Sequence, residues 1–319
     1  TDDCSQDQSW EILKDLAANQ DLNIRLTEAE IESAEKASKA MGRMRAEHNF
    51  VAQTIVTAAL PALEELVGEL KAVMLGAQAI KAGDAHCIVA GGQESMSTAP
   101  HYLFTGRTGQ KLGDTVLKDG AVMDGLWCSF NDCHMIELAQ YTAEKAKLTR
   151  AEIDEFSVKS HQKAAAAWAE CRFAKEVATV SIPQRKGDPI VVAKDESIRA
   201  DTTLEGLAKL GAVTKDKGGI ITAGNAPGLN DGGAALVLMS AERVKATGAK
   251  PLARVTGYAT GGGEPKDLFF APIDAVQKLM KKLGVGIAHF DLIEANEAFA
   301  AQAVADGKAL GWDWDRVNV

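Results

Sequence analysis

The chain has 319 residues, of which 46% are hydrophobic and 25% charged, the balance of a globular protein with a large core. Its net charge is −9 and no strong basic run occurs, which argues against nucleic acid and anionic membrane as partners. No apolar run reaches about 18 residues, so no membrane-spanning helix is expected.

The start, "TDDCSQDQSW", is acidic and polar and reads as neither a signal nor a transit peptide. Residues 1–70 read as a helical segment of unknown role. "LTEAEIESAEKASKAMGRMRAEH" opens with a capping box from Thr27 to Glu30. A second helix is expected from Pro61, through "PALEELVGELKAVMLGAQAIKAG".

After residue 80 strands and helices alternate. Strands are expected at 86–92 ("HCIVAGG"), 234–240 ("AALVLMS") and 290–296 ("FDLIEAN"), all read as buried, and at 188–192 and 253–260. An amphipathic helix is expected at 151–172, and further helices after Ser240, at 273–284 and at 297–311. This alternation predicts a mainly parallel sheet covered on both faces, with ligands at the carboxyl ends of strands. Gly91-Gly92 and Ala295-Asn296 fall at such ends. The closing "DRVNV" reads as the start of a strand, which suggests a fold cut short.

The Gly-rich stretches 222–240 and 106–114 are not phosphate loops, because neither contains Gly-Lys-Ser/Thr. Five irregularly spaced cysteines do not form a disulfide framework and point to a reducing, cytoplasmic setting. Cys128 and Cys133 bracket four residues beside His134, but no second ligand pair follows at zinc spacing, so no metal is expected. Cys87, mid-strand, reads as a small core residue. Taken singly, Asn296 and Glu297 read as helix caps, His134 as a helix-start residue and Glu94 as a turn carboxylate.

Taken in order, "AIKAGDAHCIVAGGQESMSTAP", "DGLWCSFNDCHM", "PQRKGDP", "TAGNAPGLNDGGAALVLMS" and "DLIEANEAFAAQAVADGKALGWDWDRVNV" resemble the thiolases, particularly biosynthetic acetyl-CoA acetyltransferases. The resemblance runs from about Leu70 to Val319. It implies an α/β thiolase fold, with two related βαβ-type halves in α-β-α-β-α layers and an inserted loop domain. Residues 71–118 and 222–249 would form the first half, 119–221 the loop domain over the acyl-CoA, and 250–319 the start of a second half that stops short. It also implies acyl-CoA thioesters as substrates, no separate cofactor, and a homo-dimer or homo-tetramer.

The chemistry of that family needs a thiolate nucleophile, an activating histidine, a second cysteine and an asparagine that anchors an oxyanion-binding water. By resemblance Asn296 matches the asparagine and Glu297 a support for the active-site loops. His134 and Met135 match the pantetheine and acyl pocket. Pro227 and Gly228 fall in the coenzyme-binding loop, where Pro227 replaces a common serine. Gly211 stands where an arginine is common; Arg185, Lys186, Lys215 and Lys217 are candidate substitutes toward the coenzyme phosphates. Aligning Leu70-Lys71-Ala72 with the family's helix puts the nucleophile position at Leu66, which cannot form a thioester. The remaining histidine and cysteine would follow "DRVNV". The alternative reading is therefore a non-catalytic, thiolase-derived acyl-CoA-binding or scaffolding protein.

Overall fold

A computed structural model describes residues 61–214 and 218–319, with side chains from Ala72 onward. The Thr27 capping box, Lys215 and Lys217 lie outside the described residues.

The expected second helix forms as α1, Pro61–Ala82. It stops at Gly83, whose φ of 86° lies in the left-handed region that glycine adopts without steric cost. Strand β1 (Cys87–Ser95) follows and pairs antiparallel with a strand 136 residues further on, Asp231–Met239. Gly91 sits opposite Ala235 in that ladder. A Cβ on Gly91 would come within 2.4 Å of the Ala234 carbonyl oxygen, so only glycine fits there. Helix α1 lies on one face of the ladder: at Gly76 a Cβ would meet Leu238 at 2.8 Å and Ile88 at 3.4 Å.

Short pairs follow along the chain: β2 (His101–Tyr102) with β3 (Lys118–Asp119), and β4 (Trp127–Cys128) with β5 (Cys133–His134). Next come α2 (Met135–Lys145), α3 (Arg150–Ala169), the antiparallel pair β6 (Val180–Ile182) and β7 (Ile190–Val192), and α4 (Leu204–Ala208). The strand opposite β1 is β8, and α5 (Ala241–Thr247), capped by the Ser240 hydroxyl, leads away from it. A 3-10 turn (Pro265–Phe270), α6 (Ala271–Leu283) and α7 (Ala300–Leu310) complete the order.

The main core lies around α7, whose residues from Ala300 to Gly307 are all buried. Small side chains let α7 pack against α2, α3, α6 and the 3-10 turn at once. Phe269, 1% exposed, meets Phe299 edge-on at 5.3 Å between ring centroids. Met135, Leu138, Ile153 and Ile221 fill the same cluster. At the far end of α7, a Cβ on Gly307 would come within 2.3 Å of the Trp314 ring. That ring packs edge-on against Phe156 of α3 at 5.8 Å and against Trp312 at 5.6 Å. Helix α7 also carries a buried polar pair: Gln302 Nε2 donates to Asp306 Oδ2, while Asp306 Oδ1 and Gln302 Oε1 are buried with no hydrogen-bond partner.

Helix α3 begins one residue earlier than expected, because Thr149 and Glu152 form a reciprocal capping box. Other expectations are corrected. Among the described residues every strand ladder is antiparallel, and the single parallel link is the bridge between Ile293 and Val317. A strand exists only with a partner. Residues 253–260 pack against α6, where a Cβ on Gly257 would lie 3.1 Å from Leu279 and Leu283, but make no ladder. The strands at 86–92 and 234–240 are not buried on both faces. Val89 and Val237, paired on the face away from α1, are 71% and 60% exposed. Cys87 is exposed at the first position of β1 and is not a core residue.

Candidate functional site

The junction between Ile293 and α7 is the most organised polar segment among the sequence-predicted site residues. Ile293 N–H donates to the Arg316 carbonyl at 2.8 Å, and Asn318 N–H donates to the Ile293 carbonyl at 2.9 Å. The Asn318 side chain continues the pairing: Ala295 N–H donates to Oδ1 at 2.8 Å and Nδ2 donates to the Ala295 carbonyl at 2.9 Å. Asn318 has a φ of 50°, a left-handed conformation that asparagine tolerates better than most residues. Lys163 of α3 holds the same segment by donating to the Val317 carbonyl at 2.8 Å.

Glu297 is held from two sides. Ser160 Oγ donates to Oε2 at 2.5 Å, and Asn318 Nδ2 donates to Oε1 at 2.7 Å. Loss of solvent around Glu294, then the neighbouring Glu297 charge, raises the Glu294 pKa above the usual carboxylate range. His161, next to Ser160, is lowered by burial and then by the Arg199 charge, with Glu297 opposing. Its Nδ1 accepts from Arg199 N–H at 3.3 Å.

Asn296 itself is exposed. The capping reading of Asn296 and Glu297 is corrected, because α7 begins at Ala300 with Phe299 in the cap position. The first helical N–H, that of Ala300, donates instead to the Asn225 carbonyl at 3.1 Å. Asn225, 3% exposed, comes from the Gly-rich stretch. Its Nδ2 donates to Asp154 Oδ1 at 2.8 Å and to the Ile220 carbonyl at 3.1 Å, and its Oδ1 accepts from Thr222 N–H at 2.8 Å. Asp154 in turn is ion-paired with Arg150 at 2.6 Å. The expected strand at 290–296 is reduced to the single bridge at Ile293, and the segment that leads from it to α7 presents the exposed Asn296 amide between clamped neighbours. Such an amide can hold a water or a carbonyl oxygen in a fixed place.

The other expected residues sit as follows. His134 ends β5 and caps α2, its Nδ1 accepting from Ile136 N–H at 3.1 Å. Met135 is buried in the core cluster at 4% exposure. Pro227 and Gly228 are exposed on the loop before β8. Leu66 lies on α1, and its side chain falls outside the described residues. A cavity of about 390 Å³ is lined by Cys133, Glu137, Tyr141, Lys266 and the 218–219 backbone, and neither Asn296 nor His134 lines it. Among the described residues no group of three or more His, Cys, Asp or Glu side chains is placed to hold a metal ion, and no helix is long and apolar enough to cross a membrane.

Sequence reading passed over Ser160, Asn318, Asn225 and Asp154. Asn225 and Asp154 are 71 residues apart and Ser160 and Glu297 are 137 apart, so no local pattern links them. The one available signal was the Thr222–Asn225 spacing, which suits a side-chain turn.

Two family models cover most of the chain: "Thiolase, N-terminal domain" over residues 31–242 and "Thiolase, C-terminal domain" over residues 249–319. The first match begins well ahead of Leu70, where the resemblance was read. An acetyl-CoA acetyltransferase of Pseudomonas aeruginosa is 48% identical over 278 residues, 85% of this chain and 70% of that protein. An acetyl-CoA acetyltransferase of Cupriavidus necator is 44% identical over 278 residues, with the same shares of 85% and 70%. Among solved structures, the Bacillus anthracis acetyl-CoA acetyltransferase is 39% identical with a TM-score of 0.74, covering 78% of this chain and 63% of that one.

Proposed function

The chain belongs to the thiolase family, and on that premise we propose that it binds acyl-CoA thioesters and serves Claisen condensation or its reverse, thiolysis, as acetyl-CoA C-acetyltransferases do. The observation that carries this reading is the exposed Asn296 amide on the segment that Asn318, Ser160 and Lys163 clamp. In the proposed reaction Asn296 holds a water that donates to the enolate oxygen, so that charge is stabilised where it develops. Glu297 keeps the junction in place through Ser160 and Asn318. Residues 119–221 would cover the acyl-CoA, and the β1–β8 ladder supports that division because it joins 71–118 to 222–249 across the insertion. A homo-dimer or homo-tetramer is part of the same proposal.

A second reading rests on Leu66. A leucine at the nucleophile position is compatible with holding an acyl group and not with transferring one. Removing a nucleophile from a set of residues that act as a unit typically costs several orders of magnitude in rate. One experiment separates the two. Acetoacetyl-CoA and free coenzyme A are given to the full chain, thiolysis is followed, and coenzyme A binding is measured by calorimetry. Turnover that a thiol-alkylating reagent stops supports the transferase. Binding without turnover supports the thiolase-derived acyl-CoA-binding protein. Neither binding nor turnover overturns both.

A further inference from the structure

Cys128 and Cys133 stand directly opposite one another in the β4–β5 pair. Both are reduced thiols. We infer that this pair is a modification site, a dithiol that hydroperoxides close into a cross-strand disulfide just ahead of His134 and α2.

The geometry suits the bond. Directly opposed residues of an antiparallel pair have Cα atoms about 4.5–5.5 Å apart, inside the range of about 4.4–6.8 Å that a disulfide spans. Paired residues also project their side chains to the same face of the ribbon. Here both cysteines reach one place: Cys128 is buried in the main core and Cys133 packs against that core. The turn between them is short, Ser129 to Asp132, and its backbone is already set. Asp132 takes a φ of 49°, and its Oδ1 accepts from Trp127 Nε1 at 3.1 Å. Bridging therefore asks for side-chain rotation more than backbone movement.

The two thiols differ in access, and that gives the order of events. Cys133 lines the cavity of about 390 Å³, whereas Cys128 is 4% exposed. The Cys133 thiolate attacks the O–O bond of a hydroperoxide, giving a sulfenic acid and releasing water or the alcohol. The Cys128 sulfur then attacks the sulfenic sulfur, the S–S bond forms, and the sulfenic oxygen leaves as water with the Cys128 proton. Two thiols are oxidised by two electrons and one peroxide is reduced. Before that step Asn131 Nδ2 donates to Cys128 Sγ at 3.2 Å, which steadies the resolving sulfur. Proximity of the two sulfurs in the paired strands drives the closure.

The test uses the full chain as it is. The reduced protein is treated with hydrogen peroxide, remaining thiols are blocked with N-ethylmaleimide, and peptides are mapped by mass spectrometry. The expected product carries Cys128 and Cys133 joined within one chain, unblocked and lighter by about 2 Da, and is restored by dithiothreitol. In Cys128→Ser the Cys133 sulfenic acid persists and is trapped by dimedone. Blocking of both thiols after peroxide, a bond from either to any other cysteine, or bridging only between chains overturns the inference. The native chain alone decides the matter, so failure of the variant to fold does not affect the result.

Discussion

Asn318 pairs with Ala295 as a backbone would: the side-chain carbonyl accepts from the Ala295 N–H, and the side-chain amide donates to the Ala295 carbonyl. One side chain thus lengthens the parallel link between Ile293 and Val317 by a residue and reaches Glu297 as well. In Asn318→Asp the donor is lost and a second carboxylate faces Glu297. The unfolding free energy should fall by about 1–3 kcal/mol. Asn318→Ala should fall less, because it removes bonds without adding a charge. Urea midpoints compare the two, and equal losses would show that the Glu297 contact is immaterial.

Asn225 makes three side-chain hydrogen bonds while 3% exposed, and its carbonyl receives the first N–H of α7. Asn225→Ala leaves Asp154 with a lost partner in a buried place, at a cost of about 2–3 kcal/mol. Asn225→Asp should be worse near neutral pH, since it sets one carboxylate against another, and should recover as pH falls. A pH series of urea unfolding on both variants reads this. A loss under about 0.5 kcal/mol for Asn225→Ala would remove the network from the account of how α7 is seated.

How much of this was legible in the sequence depends on distance along the chain. Helix ends marked by glycine were legible: α6 stops at Gly284 and α7 at Gly311, both with left-handed φ. The strand at Gly91 was legible from the apolar run of 86–92, but not its extension past Gly91-Gly92 to Ser95. Strand pairing was not. The partner of Cys87–Ser95 lies at Asp231–Met239, and antiparallel register over that separation leaves no local trace. The start of α7 was misplaced for a related reason. Asn296 and Glu297 look like caps by type, yet the carbonyl that receives the first N–H of the helix belongs to Asn225, an element away.

Burial raises the Asp306 pKa to about 7, against about 3.9 for an unfolded aspartate. The folded state therefore holds a proton between those values that the unfolded chain has released. This group's contribution to stability is fully favourable below about pH 4, declines as pH rises, and levels off above about pH 7. The slope it can add is at most about 1.4 kcal/mol per pH unit. Asp306→Asn should remove that decline between about pH 5 and 7 and raise the urea midpoint at pH 8. Glu152, lowered to about 2 first by Lys308 and then by Thr149, is ionised throughout that window and does not confuse it. Parallel curves for wild type and variant would refute the buried-acid assignment.

Asn296→Ala tests the chemistry at the junction. The side chain is exposed and caps no helix, so stability should change by less than about 0.5 kcal/mol. Any thiolysis of acetoacetyl-CoA should fall by about 100-fold or more, the usual cost of removing an oxyanion donor. A stability loss above about 1 kcal/mol with turnover intact would instead assign Asn296 to the architecture.

The Trp314 ring sits between α3 and α7, against Phe156, Trp312 and the backbone at Gly307. Two coupled indoles held edge-on give an asymmetric chromophore that exists only while those helices are docked. Near-ultraviolet circular dichroism should therefore report loosening of the α7 seat before the far-ultraviolet helix signal falls. The protein carries its own optical gauge for the helix that begins at Ala300, just beyond Asn296.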